Sequence, residues 1–155
     1  MTLSELRQAY VAAVQAPAHA EALEQRIEAD GPADHPAVAQ GYLASTQALR
    51  ARHVQNPLQK LNHLQRAQRT FEQAVRAAPD NPEIRLLRFA VQRATPPFLN
   101  MSGDMADDVR VVIDHREALD MAGVPPAAAR ELLNFVAESE FCTEAEGRAL
   151  LDTTT

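Results

Sequence analysis

Arg85, Arg88 and Gln92 are the residues of this chain whose types and spacing come nearest to chemistry. Steps of three and four place them on one face of a helix, in a segment whose other members are largely apolar. Two neighbouring guanidinium groups match the planar oxygens of a carboxylate or phosphate. The three residues therefore form a candidate binding stripe for a small anion. The competing reading is internal. Asp104, Asp107 and Asp108, or Glu83, would neutralise the arginines and fix how the next helix docks. Arginines close to a core are usually paired, so the internal reading is the favoured one.

Other candidates fall away on spacing. The histidines at 19, 35, 53, 63 and 115 are scattered, and no helix carries the i, i+4 His pair with Glu of a zinc peptidase. No metal ligand is assigned. His63 is kept only as a possible third member of an anion site with Arg85 and Arg88. Cys142 lies just before a helix start, where a thiolate gains stability, yet no histidine neighbours it. Ser4, Ser45, Ser102 and Ser139 lack the setting of a nucleophile elbow. The five glycines do not cluster into a phosphate loop. No catalytic residue and no cofactor follow, and the chain is expected not to be an enzyme.

The elements that must position the stripe are helical. Thr2 with Glu5 has capping-box spacing, and a first helix is expected over residues 3–14. A second is expected over 18–29, with Ala20, Leu23 and Ile27 on one face. Asp34 and Pro36 open a third that reaches His53. Asn56-Pro57 begins a fourth, over 57–78, whose apolar positions recur in steps of three and four. Asp80-Asn81-Pro82 breaks the chain before the helix 82–94 that bears the arginines. Its apolar residues cover most of its circumference, as in the buried centre of a domain. A sixth helix should start at the acidic run Asp104, Asp107, Asp108 and reach about Met121. Its β-branched stretch at 109–113 has strand character, but no partner strand exists elsewhere. A seventh over 127–138 and a short eighth after the Thr143/Glu146 capping box complete the set.

At 155 residues the chain suits one domain with a real core, taken as residues 1–155. Few aromatics, no Trp and abundant Ala and Leu favour close helix packing over a β-sandwich. The fold class expected is all-α, about eight antiparallel helices. One cysteine excludes an intrachain disulfide. The amino-terminal stretch does not read as a signal peptide and no segment approaches a membrane span, so a cytoplasmic protein without a membrane partner is expected. A net charge of −6 argues against nucleic acid as a partner. The charge is also unevenly spread. Residues 41–100 hold nine basic and three acidic residues, whereas residues 1–40 and 101–155 are both acidic. Two acidic arms around a basic middle favour internal neutralisation.

The spacing Ala67, Phe71, Ala74, Pro79 resembles the second half of a tetratricopeptide repeat, and Asp80-Asn81-Pro82-Glu83 resembles the turn into a following repeat. No second copy is evident at the repeat's period of about 34 residues. Residues 56–112, with NPLQKLNHL, PDNPEIRLLRF and PPFL, also resemble a family of short bacterial all-helical proteins. That resemblance implies helical architecture and no activity, and some such proteins begin with export signals. The function expected is a non-catalytic helical module that binds a protein or peptide, or assembles with itself. The alternative is a small anionic-ligand binder or enzyme built on Arg85 and Arg88.

Overall fold

The computed structural model describes residues 1–152; residues 153–155, part of the domain expected over 1–155, lie outside it. Among the described residues the chain is all-α, with eight α-helices and no strand. None of these helices is long and apolar enough to cross a membrane. The chain divides into two compact units. One comprises Met1–Pro79 with Ala122–Val124, and the other Asp80–Met121 with the described residues from Pro125 to Asp152.

The first unit holds α1 (Leu3–Gln15), α2 (Ala20–Asp30), α3 (Pro36–His53) and α4 (Pro57–Ala77). The capping box forms as expected. Glu5 N donates to Thr2 Oγ1, and Thr2 N donates to the Glu5 carboxylate, each at 3.1 Å. Asn56 Oδ1 accepts from the Leu58 and Gln59 amides and so starts α4. Two starts differ from expectation. A 3-10 turn over Pro17–His19 precedes α2, and His35 rather than Asp34 caps α3. Pro36 forces the residue before it out of the helical region, which leaves His35 as the cap.

Helix α3 is the centre of this unit, since it packs on α1, α2 and most extensively on α4. Its buried residues are mainly small or polar: Gly41, Ala44, Ser45, Thr46, Gln47 and Ala48. Small side chains let neighbouring helices approach closely, and Ala67, Phe71 and Ala74 of α4 are buried too. The hydroxyls are satisfied locally. Ser45 Oγ donates to the Gly41 carbonyl at 3.0 Å and Thr46 Oγ1 to the Tyr42 carbonyl at 2.7 Å. Gln47 Oε1 accepts from Thr70 Oγ1 of α4 at 2.8 Å. The Ala122–Val124 segment closes on α1. Arg7 Nη1 donates to the Ala122 carbonyl at 2.9 Å, and Gly123 adopts φ +95, where an added Cβ would lie 2.5 Å from Ser4 Oγ.

The second unit holds α5 (Pro82–Ala94), α6 (Met105–Asp114), α7 (Pro126–Ala137) and α8 (Glu144–Asp152). Its core joins Leu86 and Phe89 of α5, Val109 and Val112 of α6, Leu133 and Val136 of α7, and Leu150 of α8. The β-branched stretch of α6 is thus helical, with two of its valines fully buried. That helix stops at Asp114 instead of continuing to Met121. The chain turns through a 3-10 segment, Arg116–Ala118, which lets Leu119 and Met121 pack on the core and Arg116 Nε donate to the Leu150 carbonyl. Asn81 Oδ1 caps α5 at the Ile84 amide, and the Thr143/Glu146 box caps α8 with both of its hydrogen bonds made.

Candidate functional site

The arginine stripe lies inside the second unit, on α5, facing the first turn of α6. Asp108 is fully buried there and takes both guanidinium groups. Arg88 binds it as a fork, with Nε donating to Oδ2 at 2.9 Å and Nη2 to Oδ1 at 2.7 Å. Arg85 Nη1 donates to the same Oδ1 at 3.0 Å. Arg88 Nη1 also lies 3.6 Å from Asp104 Oδ2. Gln92 completes the row through a reciprocal pair: its Nε2 donates to Asp104 Oδ2 at 2.8 Å, while the Asp104 amide donates to its Oε1 at 3.2 Å. Arg85, Arg88 and Gln92 are therefore brought together, and their polar atoms meet carboxylates of α6. Burial pushes the Asp108 carboxyl up, against the downward pull of Arg88 and then Arg85. Of the acids the spacing offered, Asp104 and Asp108 take part in these contacts.

His63 belongs to a different cluster, in the first unit. Glu24 of α2 has a side chain only 4 % exposed and accepts from two arginines of the basic middle. Arg50 Nη1 of α3 donates to it at 2.7 Å and Arg66 Nη2 of α4 at 3.2 Å, so one carboxylate ties three helices. The His63 imidazole is held below its usual range by burial first, then by the charges of Arg50 and Arg66, which Glu24 and Glu21 oppose. Its Nδ1 is buried without a hydrogen-bond partner among the described residues. The Glu24 cluster escaped notice in the sequence, although a signal existed. Glu24 falls between Ala20, Leu23 and Ile27 on the apolar face of α2, where an acid must find a cation.

Cys142 is partly buried against the core of the second unit, and burial, aided by Glu146, pushes its thiol up rather than toward thiolate. No group of three or more potential metal ligands gathers among the described residues.

A cleft of about 330 Å³ opens in the second unit, lined by Phe89, Arg93, Met105, Phe135, Phe141 and the 138–140 turn. The Arg93 guanidinium lies 4.0 Å from the Phe135 ring centroid. In the connection between α5 and α6, Phe98 stands on a 3-10 turn, Pro97–Leu99, and is 83 % exposed.

No family model matches the chain, and neither does any curated protein or solved structure.

Proposed function

We propose that the chain is a non-catalytic helical module that binds a protein or peptide partner or a copy of itself. The observation that carries this is Phe98, a large aromatic left 83 % exposed at the head of a turn. Around it, residues 94–103 (ATPPFLNMSG) contain no charged side chain, in a chain where charges are otherwise frequent. Ala94, Pro96 and Pro97 are exposed as well, and Leu99 and Met101 partly so. An uncharged apolar patch centred on an aromatic is the usual make-up of an interaction site. The tetratricopeptide-like reading of α4 belongs with this proposal: Ala67, Phe71 and Ala74 face inward on a helix packed against α3, and small-aromatic-small spacing serves such pairs.

The anion-binding alternative draws less support. Asp108 occupies the fork of Arg88 that an external carboxylate or phosphate would need, and it shares an oxygen with Arg85. Those contacts favour a structural part for the pair.

A peptide-display selection against the folded protein tests the proposal. Binders are expected whose affinity falls sharply on Phe98→Asp while the melting temperature holds. Binders indifferent to Phe98, or no binders together with a chain that stays monomeric, would reject it. A parallel thermal-shift screen with phosphates and carboxylates addresses the alternative. Stabilisation that disappears in Arg88→Ala, with the variant itself as stable as the parent, would favour the anion site over our reading.

A further inference from the structure

We propose that the occupant of the aromatic cleft is Phe98 of a second copy of this chain, exchanged reciprocally across a two-fold axis. The inference rests on the interaction-module reading and names its partner. Plug and socket sit at one joint. Arg93, on the cleft wall, ends α5 two residues before the Thr95 cap; Met105, on the same wall, is the first residue of α6; Phe98 lies in the connection between them. When a protruding side chain and its receptor share one patch, a single rotation satisfies both contacts, which is the isologous arrangement of closed dimers.

Size and chemistry agree. A cleft of about 330 Å³ is at the small end of ligand sites and suits one aromatic side chain better than a cofactor or a helix. Its walls offer the half-buried Phe135, Phe141 and the Met105 thioether to an incoming ring, over the fully buried Phe89. Charged groups on this cleft, Arg93, Glu138 and Glu140, are all exposed, so an uncharged insert leaves them in water at the rim. Residues 94–103 are such an insert. Arg93 makes no ion pair or hydrogen bond among the described residues and lies over the Phe135 ring, so an uncharged insert strips it of no charged partner.

The plug is also set in advance. Two prolines fix φ, the Leu99 and Asn100 amides donate to the Pro96 and Pro97 carbonyls at 3.1 Å each, and Asn100 closes the turn in the left-handed region at φ 55. Little conformational freedom remains to be lost when the ring docks. One aromatic buries roughly 150–250 Å², well short of the ~800 Å² that each partner buries in a standard interface. The pair is accordingly weak and concentration-dependent.

Sedimentation velocity of the full chain, from micromolar to millimolar concentration, tests this. The expected result is a shift from one chain to two, with Phe98→Asp weakening the dimer about thirtyfold or more. Ser139→Trp, which fills the cleft from the α7 end, should have the same effect. Mixing the two variants should restore partial pairing, because one plug and one socket survive intact in the mixture. A wild type that stays monomeric at millimolar concentration overturns the proposal, as does a Phe98→Asp protein that dimerises normally. The outcome of the peptide selection separates the two levels. A monomer that still binds peptides through Phe98 removes self-pairing and leaves the module reading standing. A monomer without such binders removes both.

Discussion

Asp108 and Glu24 do the same work in different units: each is a buried acid shared by two arginines. The acids come from the negative ends of the chain and the arginines from its positive middle, so the uneven charge along the sequence becomes local neutrality in space. Removing one member of such a group is far costlier than never having built it, because the remaining charge stays out of water. Asp108→Ala should cost about 3–5 kcal/mol of stability, and Arg88→Ala a similar amount. Combined, they should cost clearly less than the sum, which chemical denaturation of the four proteins would read as a coupling energy. Strict additivity would show that the Arg88 fork contributes nothing. His63 adds a pH term of definite sign. Its folded pKa is depressed, so the unfolded chain takes up the proton first as pH falls through about 6.5. The stability it contributes is complete above that value and is lost progressively below it. The denaturation midpoint of His63→Gln, measured between about pH 8 and pH 5.5, should therefore fall less than that of the parent.

At the scale of elements, chain breaks were the most legible feature. Asn56-Pro57 and Asn81-Pro82 put a capping acceptor directly before a residue that fits the first helical position, and α4 and α5 begin there. Both Thr-x-x-Glu boxes could be read for the same reason. Two helix features were not legible. The end of α6 at Asp114 depends on where Leu119 must reach a core assembled from four helices, which no local pattern encodes. The burial of α3 was hidden because, beside Val38, Tyr42 and Leu49, its buried residues are Ala, Gly, Ser, Thr and Gln, which score as neutral; only the neighbours at close range reveal why small residues are needed. Ala44 is fully buried on that helix. Ala44→Leu should overfill the contact and cost about 1–3 kcal/mol, seen as a lower melting temperature despite the gain in hydrophobicity. A rise in melting temperature would mean that α3 has space to spare. The candidate site was half legible. Arg85, Arg88 and Gln92 stood out by period, and their acids by charge, whereas the aromatic cleft draws residues from α5, α6, α7 and the turn after it, and only the fold assembles them.

For the molecule as a whole, the three residues Ala122–Val124 matter more than their number suggests. They lie far along the chain, yet they belong to the unit that begins at Met1, where Arg7 holds the Ala122 carbonyl and glycine alone fits against Ser4. The peptide thus crosses the boundary between units three times instead of once. A gene cut after Pro79 would consequently deliver an amino-terminal product missing its last stitch, and a carboxy-terminal one carrying a stitch with nothing to sew.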